Sequence, residues 1–328
     1  MTSLLLLFAG QIPYLSAPGT LVVLNKGAAT ASIVSLKDGT TLRTVPTGEG
    51  PHEVAISEDG KNAVACNYGA ATPGNSLTVF TVPEGKVLRT IDLGSYTRPH
   101  GIAWLDSERV AVTSETTGNL VVVDVGSGKV EKAIPTGQQL SHMVALDAKG
   151  KRAYTANIGS GSISALDLAT GTRLAIVPTG KGAEGIDVSP DGSQVWVTNR
   201  EDGTVSVADA KTLKVIETMP CGAFSIRVKF TPDGKQALVS NARGDELVLF
   251  DVATRKIVGR LDVNALGGRP TGPGGYGPVG VLVHPNGKVA YVALSGSEQV
   301  AVVDLRKRAV VGTIQAGDTP DGMAFSGR

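Results

Sequence analysis

The sequence predicts an all-β protein: a single seven-bladed β-propeller with four antiparallel strands in each blade. Three observations carry this prediction. Short apolar runs recur about every 42 residues, each repeat holds four strand-like segments, and 42 Gly and 17 Pro stand beside only 6 Phe, 6 Tyr and 2 Trp. Many tight turns between short strands are typical of a large all-β architecture. A repeat of this length with four strands is typical of a propeller blade.

The first segment of each repeat is an apolar run that ends at a small or polar residue. The seven runs end at Asn25, Asn67, Ser114, Asn157, Asn199, Asn241 and Leu294. Successive endpoints are 42, 47, 43, 42, 42 and 53 residues apart. We therefore expect one propeller domain over residues 19–328.

Three further segments follow each run. The second strand of the repeat is an alternating strand such as residues 120–125. A turn that bears Gly or Lys follows it and leads into the third strand. A fourth strand then ends in a turn such as Pro-Asp-Gly at 190–192 and 232–234. These turn residues supply the backbone angles that a tight hairpin requires.

The two ends of the chain complement one another. The last segment, residues 322–326, is a fourth strand, and the chain opens with the run 21–25 that should follow such a strand. Pairing the two closes the ring and removes two exposed sheet edges. We expect the closing blade to be built from both termini.

The repeat resembles a known family. The segments YTAN, WVTN and LVSN, each followed by a segment like SPDG, are similar to the YVTN-type seven-bladed propeller repeat. The resemblance covers nearly the whole chain and implies the fold. It does not choose a function, because such propellers serve as enzymes, binding modules and scaffolds.

Charge and cysteine content exclude several classes of partner. There are 31 Lys and Arg against 30 Asp and Glu, with no block of like charge, so we expect no nucleic-acid partner. We also expect that the chain does not span a membrane. We expect a monomer that acts on a small-molecule substrate. Cys66 and Cys221 lack the spacing of a zinc or redox pair, and a disulfide between them would have to cross the channel.

The first residues, MTSLLLLFAG, are too short to span a bilayer and lack a basic n-region. We expect residues 1–18 to be a signal peptide, or otherwise an N-terminal tail that packs on the domain. A signal peptide would place the protein in the periplasm or outside the cell, and an N-terminal tail would place it in the cytoplasm.

One position of the repeat carries unusual chemistry. It lies at the entrance to the fourth strand, which is innermost in a propeller, so its seven copies face one mouth of the channel. Three of the four histidines of the protein occupy it in consecutive blades, whereas His284 lies at the other end of the same strand, where we expect a surface turn. The seven copies are His52, His100, His142, Glu184, Ser225, Val279 and Asp321.

Neutral imidazoles with one carboxylate are ligands for Zn²⁺, Fe, Mn²⁺ or Cu, and three histidines beside a vacant position are typical of catalytic zinc. We therefore predict a divalent transition-metal site formed by His52, His100, His142 and Glu184. Glu184 is either the fourth ligand or the general base. Binding of an anion without metal, or hydrogen bonding to neighbouring turns, is the alternative reading of the histidines.

The rim of the same mouth supplies further candidates. Two long interblade loops contribute Arg98 and Tyr276 as predicted catalytic residues beside Glu184, and Arg269 as a rim residue. We expect Glu53 to orient one of the metal-ligating side chains without binding the metal itself. The remaining predicted substrate or rim residues are Asp321, Tyr68, Glu115, Arg200 and Arg243. Arginines at this place can clamp a carboxylate or phosphate with two hydrogen bonds.

These residues predict a metal-dependent enzyme, a lyase or hydrolase that acts on a small, anionic substrate, with oxidoreductase chemistry equally compatible with the ligands. The arrangement is similar in kind to that of seven-bladed polysaccharide and antibiotic-ring lyases. The alternatives are a lactonase-like hydrolase and a non-catalytic exported binding or scaffold protein.

Overall fold

The computed structural model describes residues 18–263 and 277–328 and contains seven four-stranded antiparallel sheets. Residues 1–17 of the predicted signal peptide, and Arg269 and Tyr276 of the predicted rim, lie outside the described residues. No helix among the described residues is long and apolar enough to cross a membrane. The all-β, seven-bladed fold is thus confirmed.

The strands run in chain order through the blades. Blade 1 begins with β1 (Thr20–Asn25), β2 (Thr30–Ser35) and β3 (Thr41–Pro46). Blade 2 comprises β4 (Pro51–Ile56), β5 (Asn62–Gly69), β6 (Pro73–Thr81) and β7 (Val87–Asp92). Blade 3 comprises β8 (Pro99–Trp104), β9 (Arg109–Ser114), β10 (Asn119–Asp124) and β11 (Lys129–Pro135). Blade 4 comprises β12 (Ser141–Leu146), β13 (Arg152–Asn157), a 3-10 turn (Ile158–Ser160), β14 (Ser162–Asp167) and β15 (Thr172–Pro178).

The second half of the chain repeats this order. Blade 5 comprises β16 (Ala183–Val188), β17 (Gln194–Asn199), β18 (Thr204–Asp209) and β19 (Lys214–Pro220). Blade 6 comprises β20 (Ser225–Phe230), β21 (Gln236–Asn241), β22 (Glu246–Asp251) and β23 (Lys256–Asp262). Blade 7 comprises β24 (Pro278–Val283), β25 (Val289–Leu294), β26 (Gln299–Asp304) and β27 (Ala309–Gln315). The last strand is β28 (Pro320–Ser326).

Strand β28 completes blade 1, as the complementary ends of the sequence predict. It pairs antiparallel with β1, so that Thr20 lies opposite Ser326 and Val22 opposite Ala324. The sheet order of this blade is β28-β1-β2-β3, and the ring is closed by both termini. Hydrogen bonds from main chain to main chain thereby satisfy two edges that an open ring would expose.

Apolar residues pack between the faces of neighbouring blades rather than in one central core. Between blades 5 and 6, for example, the ring of Trp196 meets Phe230 and Phe250 edge to face, at centroid distances of 5.5 and 5.7 Å. Elsewhere these layers consist mostly of Val, Ala, Leu and Ile. Each innermost strand also contacts the innermost strands of both adjacent blades, so these seven strands surround the central channel.

Glycines close the hairpins at the ends of the innermost strands. Gly192 and Gly234, the last residues of the two Pro-Asp-Gly turns, have φ angles of 72° and 68°. This left-handed region favours glycine because a Cβ atom would be strained there. The turns predicted from the sequence are therefore formed, and they lie at the end of the channel opposite to the histidines.

Both cysteines are free, as the repeat register predicts, and both are buried, with 0% and 1% exposure for Cys66 and Cys221. Burial raises the pKa of each thiol above its usual value. We expect neither thiol to react with Ellman's reagent in the folded protein and both to react in guanidinium chloride. Labelling of either thiol within minutes under native conditions would contradict this burial.

Candidate functional site

The site is built by the second residue of each innermost strand. In all seven innermost strands the pairing with the next strand shifts register within the first residues, for instance between Pro51 and Val54. Such bulges re-aim side chains and recur beside active sites. The residues at this second position are Asp321, His52, His100, His142, Glu184, Ile226 and Val279 in blades 1 to 7.

The sequence alignment of blade 6 was wrong by one residue. Ser225 pairs with Asn241 as Pro51 pairs with Asn67, so Ile226 and not Ser225 is the equivalent of His52. The following position, occupied by Glu53 in blade 2, is Arg227 in blade 6. Arg227 was missed by the sequence prediction, although aligning Ser-Ile-Arg-Val with Pro-His-Glu-Val would have found it.

The three histidine rings lie side by side. Ring centroids are 4.9 Å apart for His52 and His100 and 3.5 Å apart for His100 and His142. The ring of Tyr68 covers His52 at 4.3 Å and meets the edge of His100 at 5.6 Å. The structure therefore brings together the three histidines that the sequence places in consecutive blades.

His52 and His100 are neutral at physiological pH. Burial lowers the pKa of His52 to about 4, even though the nearby Asp321 carboxylate acts in the opposite direction. The Nδ1–H of His52 donates to the carbonyl oxygen of Gly50 over 2.7 Å, which leaves its Nε2 with a free lone pair. Burial and the two neighbouring histidines lower the pKa of His100 well below its usual value. His100 is 1% exposed and its Nδ1 has no hydrogen-bond partner among the described residues.

His142 is held between two carboxylates. Its Nδ1–H donates to Glu115 over 2.9 Å, and its Nε2 lies 3.6 Å from Oε1 of Glu184. Burial lowers the pKa of His142, but the two carboxylates more than offset this effect and the pKa lies above its ordinary value. The hydroxyl of Tyr68 donates to the other oxygen of Glu115 over 3.2 Å and fixes the carboxylate in place.

Glu184 is buried against two guanidinium groups. Arg200 donates to its Oε2 over 2.8 Å and Arg227 to its Oε1 over 3.2 Å. Burial raises the pKa of Glu184, but His142 and the two arginines reverse this effect and bring the pKa to about 2. A carboxylate with this pKa is ionised at neutral pH and is a weak proton acceptor.

Arg227 reaches across the channel to carboxylates on other blades. It donates to Oε1 of Glu53 over 2.7 Å and its Nη2 lies 4.0 Å from Oδ1 of Asp321. Lys26 lies 3.4 Å from the other oxygen of Asp321. Burial raises the pKa of Glu53, and Arg227 counters part of that increase. Glu53 therefore binds the buried guanidinium rather than a histidine, which differs from the orienting role predicted for it.

A left-handed residue precedes each innermost strand and positions the rim. Its carbonyl oxygen accepts a hydrogen bond from a backbone N–H that follows a neighbouring strand, as Arg98 does from Glu115 and Gly182 from Arg200. This turn holds Tyr68, Glu115 and Arg200 over the histidines. The seven residues, with φ between 53° and 71°, are Gly50, Arg98, Leu140, Gly182, Phe224, Gly277 and Thr319.

Arginines line the outer part of the rim. Arg98 lies over the ring of Tyr68, with 4.6 Å from Cζ to the centroid, and donates to the carbonyl of Ala70. Arg243 lies over Phe224 at 4.1 Å and Arg200 approaches the same ring at 5.3 Å. Arg98 and Arg243 thus stand outside the buried arc, whereas Arg200 joins the arc to the rim.

Two other sequence predictions meet different outcomes. His284, expected at a surface turn, is 6% exposed because its ring packs edge to face on Phe325 at 4.6 Å. The predicted metal site has its residues in proximity, but within residues 18–263 and 277–328 no three His, Cys, Asp or Glu side chains are grouped so that they could hold one ion together.

Comparison with known proteins identifies the type of propeller. A family model described as YNCE-like β-propeller matches residues 103–272, just over half of the chain. This match supports the β-propeller part of the predicted resemblance but does not name the YVTN type. A search of the curated proteins finds no match.

Solved structures share the fold at low identity. Hydrazine synthase from Kuenenia stuttgartiensis is 20% identical, with a TM-score of 0.70 over 83% of this chain and 88% of that one. A functionally unknown protein from Desulfotomaculum acetoxidans is 14% identical, with a TM-score of 0.76 over 94% and 99% of the two chains. At such identities the likeness establishes the fold alone.

Proposed function

The chain belongs to the YNCE-like β-propeller family, and we propose that it is a metal-dependent enzyme, a lyase or hydrolase with its site at the channel mouth. The proposed ligands are His52, His100, His142 and Glu184. The observation that carries the proposal is the hydrogen bond that the Nδ1–H group of two of these histidines makes. The Nδ1–H of His52 is bound by a backbone carbonyl and that of His142 by the Glu115 carboxylate. Histidines that ligate metals are oriented in this way by their second nitrogen.

The separation of His142 and Glu184 fits an ion between them. Nε2 of His142 and Oε1 of Glu184 are 3.6 Å apart, too far for a hydrogen bond. Two ligands that each lie about 2.1 Å from a tetrahedral ion are about 3.4 Å apart. His52 and His100 would have to turn toward this point, since the side chains do not converge as they stand.

The charges of the site also suit a cation. Four carboxylates, those of Glu53, Glu115, Glu184 and Asp321, face three fixed cations, namely Lys26, Arg200 and Arg227. A histidine that ligates a metal has lost its proton, and with His142 in that form these groups of the described residues carry one net negative charge. Neutral His52 and His100 supply lone pairs without added charge. The Nδ1 of His100 has no partner in the described part of the chain, and a buried polar atom of this kind costs stability until it is satisfied.

The chemistry that such an ion supplies when bound is polarisation of a substrate oxygen or activation of water. Glu184, with a pKa of about 2, serves as a ligand and a fixed charge rather than as the general base. Burial and Glu115 raise the pKa of Tyr68 to about 12, so its phenol keeps the proton that it donates to Glu115. Arg98 lies over the Tyr68 ring and adds positive charge there.

Metal binding is tested with untagged, chelator-treated protein. We expect calorimetric titration with Zn²⁺, Mn²⁺ or Fe²⁺ to give one site per chain, and His100→Ala to weaken binding at least 100-fold because a central ligand is lost. His284→Ala is the matched control, since this histidine lies at the other end of an innermost strand and should leave affinity unchanged. Circular dichroism checks that both variants fold. Equal affinities in the two variants would contradict the assignment.

A non-catalytic small-ligand receptor is the second candidate. It is favoured by the ion network of Arg227 with Glu53, Glu184 and Asp321, which neutralises much of the channel mouth without an ion. If the protein binds no metal and its melting temperature is the same with and without chelator, this second function replaces the first.

A further inference from the structure

A cleft beside the channel mouth has the chemistry of an anion subsite. The cleft has a volume of about 840 Å³ and is bounded by Arg200, Phe224, Arg243 and Arg260. Arg200 also donates to Glu184, so one wall of the cleft is continuous with the candidate metal site. A ligand that fills the cleft can therefore present another part of itself to the histidines.

Arg243 is the cation of the cleft that is free to bind. Arg200 is engaged by Glu184, and Arg260 by Glu246 and the carbonyl of Cys221. Arg243 is exposed and makes no hydrogen bond or ion pair with any residue of 18–263 or 277–328. Its Cζ lies 4.1 Å from the centroid of the Phe224 ring, and its N–H groups are available for two parallel bonds to a planar oxyanion.

The backbone of Phe224 points to a role for its side chain. Its φ of 61° is in the left-handed region. Glycine occupies three of the six equivalent positions, whereas Arg98, Leu140 and Thr319 occupy the others. The turn therefore does not need a side chain at this position, and an aromatic residue there is strained. Backbone strain clusters at active sites and ligand clamps. Here the ring supports Arg243 and forms a flat apolar wall.

We infer that this cleft binds a carboxylate group of the substrate, with Arg243 as the specificity-determining residue and Phe224 as its platform. The inference rests on the proposed function, for which it names the class of substrate. A carboxylate is favoured over a phosphate because Glu201 and Asp202 also line the cleft, and they would repel a group with two negative charges more strongly. The planar fork of Arg243 matches a carboxylate in the same way.

Benzoate is the probe, because it joins a planar carboxylate to a flat ring, and benzamide is its neutral counterpart. In calorimetric titration of the chelator-treated protein we expect benzoate to bind at least 10-fold more tightly than benzamide. Arg243→Gln should weaken benzoate binding at least 10-fold. Arg43→Gln is the matched control, because Arg43 is an exposed arginine on β3 whose one hydrogen bond to the residues that the structure describes is to the carbonyl of Leu42.

Phe224→Gly separates binding from folding. Glycine relieves the strained φ, so the melting temperature should stay the same or rise, while benzoate affinity should fall with the loss of the platform. Equal benzoate affinities of Arg243→Gln and Arg43→Gln, or equal affinities for benzoate and benzamide, would overturn the subsite. Phosphate binding tighter than benzoate binding would overturn its class. Because these titrations use metal-free protein, failure of metal binding leaves their outcome intact.

Discussion

Replacing Arg227 by methionine is expected to lower the free energy of unfolding by about 3–5 kcal/mol. The guanidinium is buried, with 5% of its side chain exposed, and it lies within 4.0 Å of Glu53, Glu184 and Asp321. Methionine fills a similar volume but leaves these carboxylates without their shared cation. Urea unfolding followed by circular dichroism at neutral pH measures the change.

Two further variants make this prediction specific. Arg260→Met removes an arginine that is 44% exposed and pairs with Glu246 over 2.6 Å, and it should cost less than about 1 kcal/mol. Glu53→Gln in the Arg227→Met background should restore part of the loss, because one uncompensated buried charge is removed. If Arg227→Met and Arg260→Met are equally stable, the cross-channel network does not stabilise the fold.

The fold could be predicted from the sequence because each blade repeats the same local signals. The runs that end at Asn67, Asn157 and Asn199 correspond to strands β5, β13 and β17, and the Pro-Asp-Gly turns form where they are expected. Closure of blade 1 followed from the fourth strand at the C-terminus and from the first run near the N-terminus, which should follow such a strand. These features depend on spacing and turn chemistry, which are visible in one sequence.

The contacts within the site could not be predicted in the same way. Arg227 and Glu53 are 174 residues apart and meet only because the ring brings blades 6 and 2 to a common axis. Blade 6 has the apolar Ile226 at this position, so the polar Ser225 was aligned there instead and Arg227 was missed. The burial of His284 depends on Phe325 of another blade, which no local pattern indicates.

The seven turns with a left-handed residue before the innermost strand link the fold to the site. Glycine would be the least strained residue at all seven positions, and each other residue there costs about 1–2 kcal/mol. Four blades nevertheless carry a side chain, and those of Arg98 and Phe224 stack with Tyr68 and with two arginines at the rim. The same turns that hold Tyr68, Glu115 and Arg200 above the histidines thus also furnish the entrance to the site.

Acidification is the second change for which we expect a large effect. In metal-free protein the free energy of unfolding should fall by about 3 kcal/mol between pH 6.5 and 4 from His52 alone. The pKa of His52 is about 4 in the folded protein and 6.5 when unfolded, so in this window the unfolded chain binds the extra proton and is favoured. His100, whose pKa is also lowered, adds in the same direction. Urea unfolding in chelator at pH 7, 5.5 and 4 measures the slope.

His142 affects the free energy of unfolding above pH 6.5. Its pKa is raised in the folded protein, so its contribution is complete below pH 6.5 and is lost as the pH rises through the folded value. Stability should therefore be greatest near neutral pH and decline in both directions, with Glu184 adding a loss only as the pH falls below 4.5 toward about 2. His52→Gln should flatten the slope between pH 6.5 and 4 and leave the alkaline decline intact. An unchanged acid slope in this variant would show that the burial of His52, and with it the neutral ligand set at the channel mouth, is wrongly assigned.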